Sequence, residues 1–111
     1  MPAKFQIKKA KNGEFYFNLL AGNGEVILTS EMYKAKASAK NGIASVKKNS
    51  GVEGRFEKRN SKNGQFFFVL KAANHEVIGK SEMYPTEKPC ENGITSVKKN
   101  APGAVLEDLT K

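Results

Sequence analysis

Several ingredients from which small proteins build frameworks or active sites are scarce here. The chain has no tryptophan, one cysteine and one histidine in 111 residues. One cysteine excludes an intramolecular disulfide and fits a reducing compartment. A single histidine, His75, with no neighbouring cysteine or carboxylate cluster gives no metal-ligand set and a poor general base. No apolar run is long enough to span a bilayer, and no charged-then-apolar leader opens the sequence. No glycine-rich phosphate loop is present. These absences predict a soluble cytoplasmic protein with no cofactor and no membrane association. No linker rich in Pro, Gly or Ser divides the chain, which argues for one domain over residues 1–111.

What the chain does contain is one motif written twice. Shifting it by 51 positions lays residues 5–49 on 56–100 without a gap, and about half the aligned pairs are identical. Asn12-Gly13 meets Asn63-Gly64, and Ser30-Glu31-Met32-Tyr33 meets Ser81-Glu82-Met83-Tyr84. Asn41-Gly42-Ile43 meets Asn92-Gly93-Ile94, and Ser45-Val46-Lys47-Lys48-Asn49 meets Ser96-Val97-Lys98-Lys99-Asn100. Repeat one is assigned to 1–54 and repeat two to 55–111. Each is near 50 residues, a size at which a lone core is marginal. The two copies are therefore expected to share one core about a pseudo-twofold axis, as a monomer with the internal symmetry of a dimer. A one-copy homologue would be expected to dimerise in the same way. The repeat also acts as a filter, because a residue present in one copy cannot carry a role both share.

The formal charge is +8, which invites a nucleic-acid reading. The filter weakens it. Residues 1–51 carry 9 Lys and 3 acids, net +6, whereas residues 52–111 carry 10 Lys plus Arg and 8 acids, net +2. Lys36 meets Glu87 and Lys40 meets Glu91, so a basic helix face in one copy is acidic in the other. The charge reads first as a solubilising surface.

Phe5-Gln6-Ile7-Lys8 alternates as a strand does. Asn12-Gly13 is a tight-turn signal. Glu14 to Leu20 places Phe15, Phe17 and Leu19 on one face and Tyr16, Asn18 and Leu20 on the other. Asn23-Gly24 turns the chain into a third strand, Glu25 to Thr29. An amphipathic helix follows from about Lys34 to Lys48, with Ala35, Ala39, Ile43 and Val46 as its stripe. In copy two Thr86 is the expected N-cap and Pro89 falls in the first turn. The unbroken stripe predicts one helix that passes close to the sheet at Gly42 and Gly93. Val52 to Lys58 and Ala104 to Leu109 read as further extended segments. The expected fold is α+β: two tandem β-β-β-α-β repeats sharing one antiparallel sheet with exchanged C-terminal strands, and two helices on one face.

The stretches Asn12-Gly13-Glu14-Phe15-Tyr16-Phe17, Glu25-Val26-Ile27, Ser30-Glu31-Met32-Tyr33 and Gly42-Ile43-Ala44-Ser45-Val46-Lys47, with their copy-two partners and the closing Glu107-Asp108-Leu109-Thr110, resemble the repeat of the YegP-like proteins. The resemblance covers nearly the whole chain. It implies small bacterial proteins with one or two β-β-β-α-β units and a shared sheet with exchanged terminal strands. It implies no activity and supplies no catalytic residue. The chain departs from the pattern at Lys34-Ala35-Lys36, where the family often has a serine as helix cap.

Each reactive residue has a structural reading beside the chemical one. Cys90 meets Ala39 and is expected as a small core residue. His75 meets Gly24 and belongs to a hairpin turn. Ser30, Glu31 and Tyr33, repeated as Ser81, Glu82 and Tyr84, are the best polar constellation for an enzyme. They read more simply as a serine bonding the turn backbone, a methionine at the core edge and a tyrosine with its hydroxyl at the surface. The sharper expectation is a binding face on the uncovered side of the sheet: Tyr16, Asn18, Ile27, Phe67, Val69, Lys71 and Ile78, flanked by Lys8 and Lys58. This predicts a non-enzymatic module for an unknown protein partner or for self-association. Weak single-stranded nucleic-acid binding is the alternative, and an enzyme built on the Ser-Glu-Met-Tyr segments comes last.

Overall fold

The computed structural model describes residues 2–52 and 54–110. Each copy opens with a meander. β1 (Lys4–Lys9), β2 (Phe15–Leu20) and β3 (Val26–Thr29) lead into helix α1 (Lys36–Asn49). β4 (Phe56–Asn60), β5 (Phe66–Lys71) and β6 (Val77–Lys80) lead into α2 (Glu87–Asn100), and β7 (Val105–Asp108) closes the chain. Of the extended segment expected over 52–58, Glu53 lies outside the described residues and the strand begins at Phe56.

All seven strands form one sheet in the order β4-β5-β6-β3-β2-β1-β7. The copies join at β3 and β6, where Thr29 pairs with Lys80. These two residues are 51 apart, so the pseudo-twofold axis runs through their pair. The exchange is visible at β7, a repeat-two strand lying against β1 of repeat one. Its direction corrects the all-antiparallel expectation. β7 runs parallel to β1, from Val105 beside Lys4 to Asp108 beside Ile7, and the sheet is mixed. The chain leaves α2 at the end of the sheet where β1 begins, with the Val105 N–H donating to the Ala3 carbonyl at 3.1 Å.

Both helices lie on the face that carries Phe5, Ile7, Phe17, Leu19, Phe68 and Leu70, and the buried apolar residues of both copies form a single cluster. α1 packs on β2 and reaches β5 and β6, while α2 packs on β5 and reaches β3. Cys90 is buried in this core, as is its counterpart Ala39. α1 starts at Lys36 because Ala35 is extended (φ −124°, ψ 146°) and offers no side-chain cap. Thr86 does occupy the N-cap position of α2, but its side chain makes no cap hydrogen bond. His75 sits at φ 71° in the β5–β6 turn, where its counterpart Gly24 has φ 85°.

The two ends of the sheet are finished differently. β7 covers the outer side of β1, and Ile7 there is fully buried. Nothing among the described residues pairs with the outer side of β4. The counterpart of Ile7 is Lys58, whose ammonium lies 2.7 Å from both Glu87 and Glu91. In copy one Lys36 instead reaches Asp108 of β7 at 3.0 Å. The sign change along the helices thus follows which partner each sheet end supplies.

Asp108 is held well below the usual carboxylate range by the Thr110 hydroxyl and backbone N–H, and then by Lys36. Glu57 is lowered to about 2 by Lys71 and then Arg59. A depressed carboxylate contributes stability that is complete above its unfolded pKa, near 4, and is lost as pH falls through the folded value. Acid titration is therefore expected to loosen β7 below roughly pH 4. In Asp108→Asn, native-state amide exchange should show β7 already less protected at pH 7, with a flatter acid limb. An unchanged exchange profile in that variant would remove this account of the strand's anchorage.

Candidate functional site

Strand alternation leaves a second face away from the helices. Pairing across the sheet sets one row of this face: Glu57, Val69, Lys80, Thr29, Asn18, Gln6 and Glu107, one from each strand. Direct side-chain bonds tie part of the row together. Asn18 Nδ2 donates to Thr29 Oγ1 at 2.9 Å and Gln6 Nε2 donates to Glu107 Oε1 at 2.7 Å. Glu57 accepts from Arg59 Nε at 2.7 Å and pairs with Lys71.

This face holds some of the expected residues and not others. Lys8, Tyr16, Phe67 and Lys71 lie on it, half-buried. Asn18 and Val69 share it but are only 6% and 2% exposed: Val69 sits between the longer Glu57 and Lys80, and Asn18 lies between Gln6 and Thr29 with its amide bonded to Thr29. Ile27 and Ile78 are not on it. A β-bulge in each copy pairs Leu20 with Val26 and Lys71 with Val77, one residue off the expected register. The slip carries both isoleucines into the core cluster. Lys58 also leaves the face, since it pairs with Phe68 on the helix side; the counterpart of Lys8 is Arg59, opposite Phe67.

Tyr16 stands opposite Lys8 on β1, and Phe67 carries the Lys80 ammonium 4.9 Å from its ring centre. The axis relates Tyr16 to Phe67 but not their cations, since the counterpart of Lys8 is Arg59 and that of Lys80 is Thr29. Three strand spacings and about four residues of rise separate the two corners, roughly 20 Å on a diagonal. Sequence patterning found Tyr16 and Phe67 but not Lys80, whose place over the ring follows from register across the bulge.

The Ser-Glu-Met-Tyr segments are occupied structurally. Ser30 Oγ accepts from the Phe17 N–H and donates to the Glu31 carbonyl, both at 2.8 Å, and Ser81 repeats this with Phe68 and Glu82. Tyr33 pairs its backbone with Phe15 and stacks on Phe17 with centroids 6.3 Å apart. Burial, and next the charge of Glu31, push its phenol above the ordinary value. Met32 and Met83 point outward, 52% and 40% exposed, and do not fill the core edge as expected. Ser45 and Ser96 each accept from the amide of an asparagine one turn on, Asn49 and Asn100. A surface cavity of about 530 Å³ between the end of α1 and the β5–β6 turn is lined by Ser45, Lys48, Val52, Arg55 and Ala72 among others, and by none of the Ser-Glu-Met-Tyr residues.

Among known proteins, the family model described as "Domain of unknown function (DUF1508)" matches residues 10–57 and again 61–108. The chain is 56% identical over 108 residues to UPF0339 protein PA0329 of Pseudomonas aeruginosa, covering 97% of this chain and 98% of that one. It is 51% identical over 110 residues to UPF0339 protein YegP of Escherichia coli K12, covering 99% and 100%. The solution NMR structure of yegP from E. coli, a protein of unknown function, superposes with a TM-score of 0.92 at 50% identity over 98% of this chain and 94% of that one. The solution NMR structure of UPF0339 protein SO3888 from Shewanella oneidensis gives 0.91 at 48% identity over 98% and 92%.

Proposed function

We propose that this chain, which belongs to the DUF1508 family of unknown function, is a non-enzymatic protein-binding module acting through the open face of its sheet. The observation that carries this reading is a pair of aromatic–cation corners, Tyr16 with Lys8 and Phe67 with Lys80, built on twofold-related aromatics and set on a face that neither helix covers. Aromatic side chains beside cations are the residue types that anchor protein interfaces, apolar in body and charged at the rim. The roughly 20 Å between the corners favours a folded partner that touches both over a single strand whose bases stack in succession. The occupied hydroxyls of Ser30 and Ser81 support a role without catalysis.

The test compares proteins captured by the wild type with those captured by Tyr16→Ala/Phe67→Ala, whose fold is verified by circular dichroism. A partner lost only in the double variant supports the reading, and retention of every partner by the double variant ends it. Fluorescence anisotropy with labelled single-stranded RNA and DNA at two salt concentrations is the companion measurement. Binding that persists in moderate salt and vanishes with Tyr16 or Phe67 would transfer the face to nucleic acid.

A further inference from the structure

We propose that the outer edge of β7 docks a second copy of this chain, β7 against β7 in antiparallel register about a twofold axis at Leu106. The idea goes beyond the binding face and does not rest on it. It begins from exposure. Among the described residues, Val105, Leu106 and Leu109 are 51%, 50% and 50% exposed, three of the six large apolar side chains left in solvent. All three belong to one four-residue strand and the residue after it, at one end of the sheet.

The opposite end shows how this chain finishes an edge it keeps to itself. β4 reads Phe-Glu-Lys-Arg-Asn, with Lys58 on the helix side held by Glu87 and Glu91. Inward-pointing and lysine charges of this kind discourage strand addition. β7 has no such device on its helix side beyond Asp108, which Lys36 and Thr110 already engage.

The backbone of β7 is set for pairing. Val105 and Leu109 donate their N–H groups to β1, at Ala3 and Ile7. Strand alternation then turns the N–H and C=O groups of Leu106 and Asp108 outward. Side-chain chemistry chooses the register. Pairing centred on Glu107 would set two carboxylates directly opposite each other, a destabilising arrangement. Pairing centred on Leu106 sets leucine against leucine on the helix side. It places Val105 beside the second copy's glutamate on the open side and Ala104 beside its aspartate. Only the second register both hydrogen-bonds at its centre and covers apolar surface. It joins the two seven-stranded sheets into one, with both open faces on the same side.

A four-residue edge covers much less than the roughly 1,200 Å² of a stable interface, so the association is weak and shows only at high protein concentration. Sedimentation equilibrium from 10 μM to 1 mM reads it directly. The wild type should pass from monomer to dimer, and Leu106→Lys should weaken association at least tenfold while keeping its amide spectrum. A second measurement fixes the register. Facing Leu106 residues would have Cα atoms about 5.5 Å apart, within disulfide range. Leu106→Cys should therefore oxidise to a covalent dimer much faster than Val105→Cys, which meets a different residue. A wild type that stays monomeric at 1 mM overturns the proposal. So does a dimer indifferent to Leu106→Lys, or equal oxidation of the two cysteine variants.

Discussion

Replacing Gly79 with leucine is expected to destabilise the fold by about 3 kcal/mol or more, at the upper end of overpacking penalties, and Leu28→Gly in the same chain is expected to return most of that loss. Position 79 is the 51-residue counterpart of position 28. Both stand next to the Thr29–Lys80 pair through which the pseudo-twofold axis runs. A Cβ on Gly79 would lie 2.6 Å from Leu28 Cδ2, 2.7 Å from Cγ and 3.0 Å from Cδ1. The whole leucine fork is in the way, and Leu28 is 1% exposed, so it has nowhere to swing. A perfectly symmetric repeat would bring two leucines to the axis where there is room for one. The swapped pair restores the large-small match with the copies reversed. Urea denaturation of Gly79→Leu, Leu28→Gly and the double variant forms a cycle whose coupling should be strongly favourable. A cost below about 1 kcal/mol for Gly79→Leu, or a double variant as unstable as the sum of the singles, would remove the axis argument.

This pair also says something about fusion. A homodimer of identical single repeats cannot place leucine on one side of its axis and glycine on the other. A tandem chain can. The same freedom appears at the sheet ends, where Ile7 lies under β7 and its counterpart Lys58 faces Glu87 and Glu91. The copies differ where symmetry forces unlike environments or self-contact. They agree at Ser30 and Ser81, where the same bonds form in both.

Much of this architecture was legible from alternation, turn dipeptides and the helical stripe. Asn12-Gly13 and Asn23-Gly24 marked the hairpins, and Gly42 marked the close approach of helix to sheet. The failures have physical causes. A bulge adds one residue to a strand and leaves no mark in composition, so alternation alone puts Ile27 and Ile78 on the wrong side. Period-two patterning identifies a strand but does not set the direction in which it joins an edge, so the parallel run of β7 leaves no sign in the sequence. Exposure on an uncovered face depends on the neighbours in the row. Val69 disappears between Glu57 and Lys80 and Asn18 beside its bond to Thr29, while Tyr16 and Phe67 stay in reach of solvent. The clustering of Val105, Leu106 and Leu109 at a bare edge required knowing which strands end the sheet.

Gly42→Ala should run against the ordinary rule for helices. Alanine is favoured over glycine in a helix interior by about 1 kcal/mol, and Gly42 lies within α1. Yet a Cβ there would overlap Tyr33 Oη and stand 2.9 Å from Tyr33 Cζ and 3.0 Å from Phe17 Cε2. The phenol oxygen lies on the ring axis and moves only with the ring, so relief would require the whole ring to shift, and the Phe17 contact would remain. The Tyr33 ring is fixed by its stack on Phe17, and its backbone exchanges two 2.7 Å hydrogen bonds with Phe15. The overpacking cost of about 1–3 kcal/mol therefore offsets or exceeds the propensity gain, leaving a net loss of up to about 2 kcal/mol. A Cβ on Gly93 would lie 2.7 Å from Tyr84 Oη and 2.9 Å from Phe68 Cε2, so Gly93→Ala should behave alike. Tyr33→Phe should recover part of the Gly42→Ala loss by removing the nearest atom. The phenol supplies an independent readout. Burial holds the Tyr33 pKa above its ordinary value, so a ring pushed outward by the added methyl group should titrate closer to 10 when followed by NMR. A Gly42→Ala protein more stable than the parent, with the Tyr33 titration unmoved, would mean that the helix can lift from the sheet at no cost and that the glycine does not set their spacing.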